Sequence, residues 1–167
     1  ILNEYPGFYI VGEAWIGIPA ILAYFQGGRK QHDGYDSGMP SIFDFAFYDA
    51  IRDGLVEEDG WNTGLLRIYH TLAQDFLYPD PFNLMVFADN HDVTRIFTAL
   101  NEDVRLLKMA LTLVFTTRGI PQMYYGTELL MTGWEHKGHG GIREDFPGGW
   151  ADDSINAFVS EGRSDEQ

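Results

Sequence analysis

One stretch limits the fold more than any other: Asn83-Leu84-Met85-Val86-Phe87-Ala88-Asp89-Asn90-His91-Asp92-Val93-Thr94-Arg95. Five consecutive apolar residues, Leu84 to Ala88, follow closely on Pro79 and Pro81. A run this short predicts a strand buried on both faces, as in parallel sheets. Four polar residues come next with no spacer, and burying such groups is costly unless they are paired. A packed strand that stops abruptly in two carboxylates, an amide and an imidazole points to the mouth of an α/β barrel, where functional groups sit at the C-terminal ends of strands. A polar turn capping the next helix would account for each residue taken alone. A second segment ends the same way, however: Phe8-Tyr9-Ile10-Val11, expected as a short buried strand, runs into Gly12-Glu13-Ala14-Trp15.

The rest of the chain alternates. Ile1 to Tyr5 reads as the tail of a helix stopped by Pro6 and Gly7. Pro19 suits the first turn of a short helix carrying Ile21, Leu22, Tyr24 and Phe25. Gln26 to Met39 is a polar, Gly-rich loop. Ser41 to Phe45 predicts a strand running on into Ala46 and Phe47, with a helical turn or two over Tyr48 to Val56. Asn62 or Thr63 is expected to cap a helix whose inner stripe is Leu65, Ile68, Tyr69, Leu72 and Phe76. Asn101 is expected to cap a longer helix with Glu102 and Asp103 in its first turn, Val104, Leu107, Leu111 and Val114 on its inner face, and Arg118 and Gly119 at its close. Ile120 to Gly126 predicts a fourth strand with Pro121 near its beginning. Leu129 to Gln167 reads as mostly loop. Strands alternating with helices imply a parallel sheet with right-handed crossovers. Four such strands make half of a (β/α)8 barrel, a fold that takes about 250 residues when whole. The alternative is a small open doubly wound sheet, but no Gly-rich phosphate loop follows any strand.

Composition narrows the function. The 167 residues hold 25 acidic and 11 basic side chains, a formal charge of -14. Such a surface repels phosphates and argues against a nucleic-acid partner. No run approaches the ~20 apolar residues of a membrane span. Cysteine is absent, so redox compartment is unconstrained, and localisation stays unassigned. Aromatics make up 15% of the chain, many in Gly-rich loops, where exposed rings suit sugars. The start at Ile1 without Met, and the end in Ser164-Asp165-Glu166-Gln167, suggest a piece of something longer.

Parallel strands place their C-terminal ends on one face, so Glu13 and Asp92 could meet one ligand. Sugar hydrolysis needs a carboxylic acid to protonate the leaving oxygen and further carboxylates to handle positive charge at the anomeric carbon. Glu13, beside Trp15 and after a buried strand, is expected in apolar surroundings that would raise its pKa. Pairing with a buried arginine, Arg95 among the candidates, would instead make Glu13 structural.

These residues carry a resemblance. Phe8 to Trp15 resembles the fifth-strand motif of the α-amylase family, glycoside hydrolase family 13, and Phe87-Ala88-Asp89-Asn90-His91-Asp92 resembles its seventh-strand motif. Gly119 to Glu128 is similar to the eighth-strand segment, and Ile142 to Trp150 to a loop of the neopullulanase and cyclomaltodextrinase branch. The resemblance implies strands five to eight of a (β/α)8 barrel, with residues 1–167 a partial catalytic domain. It implies cleavage of α-1,4-glucosidic bonds with retention, on starch, maltodextrin, pullulan or cyclodextrin. Glu13 would be the acid/base. Asp92 would bind sugar hydroxyls and stabilise the transition state, with His91 on the same sugar. Asn90, Trp15, Arg95 and Tyr125 join them as candidate substrate-binding residues for an α-glucan oligosaccharide.

The family's nucleophile, an aspartate in a Gly-Phe-Arg-x-Asp pattern before the fifth strand, has no counterpart ahead of Glu13. Asp145, in Gly141-Ile142-Arg143-Glu144-Asp145, imitates that pattern but reads as a loop residue. The first four strands and the family's C-terminal β-sandwich are also missing, so the chain alone is expected to be inactive. The alternative is a half barrel that binds glucan without cleaving it. Open half-barrel edges favour a homo-oligomer. No metal site is expected within the chain, although calcium is possible in a complete parent. His136 and His139 lie in a Gly-rich loop too loose to hold a metal, and His32, Asp33 and Asp36 lack an EF-hand pattern. Trp134 and Trp150 are further stacking candidates, and of Tyr124 and Tyr125 strand alternation lets at most one touch ligand. Asp44 is read as structural. Arg95 either orients Asp92 or caps the strand end.

Overall fold

A computed structural model describes residues 1–167. The chain forms two compact units, Ile1–Phe87 with Leu113–Gln122, and Ala88–Thr112 with Met123–Gln167.

The first unit holds four short parallel strands: β1 (Val11–Gly12), β2 (Ser41–Ile42), β3 (Met85–Phe87) and β4 (Ile120–Gln122). β1 pairs with β2, and β3 with β4, in parallel register. A single parallel bridge, Phe43 to Met85, links the two pairs. Each pairing is between strands separated by a helical or loop crossover, as parallel pairing requires. Leu84, Val86 and Phe87 are buried, as the apolar run predicts. Phe87 is a packing centre: Tyr48 stacks on it at 5.1 Å, and Phe45 and Phe43 meet it edge-on.

Helix α1 (Pro19–Leu22) has Pro19 in its first turn, as expected. Helix α2 (Phe45–Gly54) starts where a strand was predicted to continue. The Asp44 carboxylate accepts from Phe47 N–H at 3.0 Å, and this cap stops the strand and opens the helix. The same fully buried carboxylate pairs with Arg118 at 2.6 Å, and Arg118 reaches Asp75 at 2.7 Å. Asp44 is therefore structural. Helix α3 (Leu66–Leu72) departs from the predicted stripe: Ile68 and Thr71 are buried, while Leu65, Tyr69 and Phe76 are exposed, and neither Asn62 nor Thr63 caps it. The 3.6-residue period was present, but its phase was set by the contact with α2. The segment before β1 also differs. Ile1 to Tyr5 is a turn, and Phe8 and Tyr9 are exposed rather than buried in a strand.

In the second unit the chain leaves β3 through Ala88, makes a tight polar turn, and enters helix α4 (Ile96–Ala99). Asn101 and Glu102 both have φ +57°, so neither opens the next helix, α5 (Val104–Thr116), in the way predicted. Asp103 does, its carboxylate accepting from Arg105 N–H at 2.8 Å. Leu107, Ala110 and Val114 are its buried face. β4 is shorter than expected and ends at Gln122. No helix is long and apolar enough to cross a membrane.

Candidate active site

The turn after β3 sorts its polar residues into two sets. Asp89 and Asn90 are buried; His91 is exposed and Asp92 half-covered. Asp89 accepts from Ile96 N–H at 3.0 Å, and from the Thr127 hydroxyl at 3.0 and 3.1 Å. It ties the start of α4 to the segment after β4. Burial pushes its carboxyl up to about 6, against the pull of those hydrogen bonds. Asn90, a candidate for sugar binding by sequence, uses its side-chain oxygen locally: Oδ1 accepts from Asp92 N–H at 2.8 Å. That Asx turn aims the Asp92 carboxylate.

Three side chains surround Asp92. His91 Nε2 lies 3.2 Å from Oδ2, His139 Nδ1 lies 3.4 Å from Oδ1, and Arg143 donates to Oδ1. Arg143 also donates from Nε to the His91 carbonyl at 2.7 Å and meets His139 Nδ1 at 3.0 Å. His139 thus faces a carboxylate and an arginine, and Glu135 accepts from Thr94 N–H at 2.9 Å. No group of three histidine or carboxylate side chains gathers to hold a metal. The acids of the 26–39 loop support turns: Asp36 accepts from Gly28 and Gly38 N–H, and Asp33 from Tyr35 N–H and the Tyr24 hydroxyl.

Arg95 is not the partner of Asp92. Its guanidinium is 0% exposed and donates to the carbonyls of Ile142, at 3.1 Å, and Tyr125. Tyr124 and Tyr125 lie over it with centroids at 4.2 and 4.8 Å. An arginine so enclosed has no surface for a sugar, so its assignment to substrate is corrected to anchoring the 123–142 loop. The alternation expected for the two tyrosines does not apply, because the strand ends before them and both rings meet one guanidinium. Tyr125 keeps an exposed edge while its hydroxyl donates to the Glu144 carbonyl at 2.7 Å.

In the first unit, Glu13 follows β1 directly and is exposed, not sheltered as the sequence suggested. No arginine pairs with it. It borders a hollow of about 160 Å³ lined by Ala14, Phe25, Tyr35, Met39 and Ile42, an apolar wall beside one carboxyl. Trp15 stacks on Phe45 at 4.9 Å and leaves 56% of its surface open. Trp134 and Trp150 are also exposed. Asp145 sits in irregular loop, as predicted.

Sequence reasoning gave Arg143 no role at Asp92. The two lie 51 positions apart, and only the return of the Gly-rich loop brings them together.

Residues 1–165 match the family described as "Alpha amylase, catalytic domain". The chain belongs to the α-amylase family. A cyclomaltodextrin glucanotransferase of Niallia circulans is 32% identical over 132 residues, 79% of this chain and 17% of that protein. An α-amylase of the same organism is 40% identical over 100 residues, 59% of this chain and 18% of that one. Among solved structures, the γ-CGTase from alkalophilic Bacillus clarkii superimposes with a TM-score of 0.68 at 30% identity, over 89% of this chain and 21% of its own. The chain thus spans about a fifth of the length of these α-amylase-family relatives. With β1 to β4 all parallel, its fold is that of part of an α-amylase catalytic domain.

Proposed function

We propose that residues 1–167 are the strand-five-to-eight half of a (β/α)8 catalytic barrel in an enzyme that hydrolyses α-1,4-glucosidic bonds of α-glucans with retention. The observation that carries the reading is the family match over residues 1–165, together with a carboxylate directly after β1 and an Asn-His-Asp turn that begins past Ala88 and Asp89 at the end of β3. In such a barrel strand ends carry the chemistry. Glu13 is the acid/base: it protonates the leaving sugar, then activates water. Its exposure beside an apolar hollow leaves it reachable by that oxygen. Asp92 accepts hydrogen bonds from the hydroxyls of the reacting sugar, and His91 contacts the same sugar. Trp15 and Tyr125 offer ring faces or edges for stacking. The Ile142–Trp150 motif supports a place in the neopullulanase and cyclomaltodextrinase branch.

A retaining mechanism needs a second carboxyl about 5 Å from the acid. The nucleophile motif has no counterpart in residues 1–167, so these residues alone do not turn substrate over. The test is reducing-end release from maltoheptaose. In the complete protein, Glu13→Gln is expected to lower turnover by about 10²- to 10⁴-fold. Full activity in that variant would end the reading. Glucan affinity with no turnover in the complete protein would favour a binding module.

A further inference from the structure

Asp92 is held by a residue with no part in the proposed chemistry, and we infer that Arg143 is a positioning residue that fixes the Asp92 carboxylate for sugar binding. Its role rests on the reading that Asp92 meets the sugar. An exposed arginine–carboxylate pair contributes little as a rule, because long side chains move and water screens them. Arg143 is not free in that way. Its guanidinium is tied at three places, to Asp92 Oδ1, to the His91 carbonyl and to His139 Nδ1. Its backbone is tied as well: the preceding residue, Ile142, is fully buried, and its carbonyl accepts from Arg95 at 3.1 Å and from the Tyr124 hydroxyl at 3.3 Å. The buried Arg95 thus grips the loop one residue before the point where Arg143 grips Asp92.

The grip leaves Asp92 usable. An ionised carboxylate offers about four lone-pair positions. Arg143 takes one on Oδ1, with His139 near the same oxygen at 3.4 Å, and His91 faces Oδ2 at 3.2 Å. With 23% of the side chain still exposed, an open edge remains for hydroxyl donors. Meanwhile the Asn90 turn fixes the Asp92 backbone from the other side. The carboxylate is held at both ends before any ligand arrives, which lowers the ordering cost of binding.

The discriminating experiment is a double-mutant cycle in the complete protein, read on maltoheptaose affinity by calorimetry and on kcat and KM separately. Arg143→Gln is expected to weaken kcat/KM by roughly ten- to a hundred-fold, the range for a hydrogen bond to a charged group. Arg143→Lys should restore part of it. In an Asp92→Asn background, Arg143→Gln should add less than about twofold, because two residues acting through one contact are not additive. Full multiplication of the two effects, or an Arg143→Gln variant as active as the parent, would overturn the assignment. If Asp92→Asn alone changes nothing, the reading of Asp92 has failed, and the role of Arg143 falls with it. Thermal unfolding of each variant separates lost positioning from lost folding: a variant that has lost only the former melts with the parent.

Discussion

The Asp89 carboxyl makes a pH-dependent stability that one substitution should erase. Asp89 is 2% exposed, and burial carries its pKa from an ordinary 3.8 to about 6 in the folded chain. The folded state therefore holds a proton that the unfolded state releases between about pH 4 and pH 6. Folding then takes up a proton in that window. The contribution is fully present below the unfolded pKa and lost as pH rises through the folded one. The distance from 3.8 to about 6, at about 1.4 kcal/mol per pH unit, comes to about 3 kcal/mol. Asp89→Asn keeps the geometry: the amide oxygen can accept from Ile96 N–H, and the amide nitrogen can donate to a Thr127 hydroxyl turned to accept. It removes the charge. Urea unfolding of parent and variant at pH 4, 5, 6 and 7 should show the variant gaining on the parent by about 2.5 kcal/mol between the two ends, since pH 4 already lies just above the unfolded pKa. Other groups titrate in both proteins and cancel in the difference. A parent-minus-variant difference that stays flat across the range would refute the reasoning, because a buried carboxylate that ionises without cost is not desolvated.

Two further outcomes follow from the first unit. Arg118→Met leaves the fully buried Asp44 without its ion pair and should cost about 3–5 kcal/mol in urea unfolding, with Asp44→Asn in the same background recovering part of the loss. Gly119 has φ +101°, and an added Cβ would lie 2.4 Å from Val86 Cγ2 and 2.8 Å from the Leu84 carbonyl, so Gly119→Ala should cost about 2–4 kcal/mol. Hydrogen exchange at Ile120 and Gln122, in the strand that pairs with Met85 to Phe87, should speed up in that variant.

The elements that were legible are those whose signals are local. Leu84 to Ala88 is apolar throughout and too short for a helix, and it is the buried strand expected. Pro19 opens α1, and Asp145 stays in loop. The misread elements are those where local signals conflict. Phe43, Phe45 and Phe47 alternate as strand residues do, yet Asp44 caps a helix between them, and the hydrogen bond to Phe47 prevails over β-propensity. Tyr69 and Phe76 fit a helical stripe in spacing but point outward.

The sequence by itself determined the parallel α/β character, the family, and the positions of Glu13 and Asp92 at strand ends. Those follow from apolar run length and from motifs a few residues long. The tertiary structure decided the partners. Arg95, six residues from Asp89, turns inward to carbonyls 30 and 47 positions away, and Arg143 crosses 51 positions to take Asp92. A guanidinium reaches whatever acceptor the returning loop brings within about 3 Å. Loop return is fixed by long-range burial, here of Ile142 and Arg95, and no local pattern in the chain encodes it.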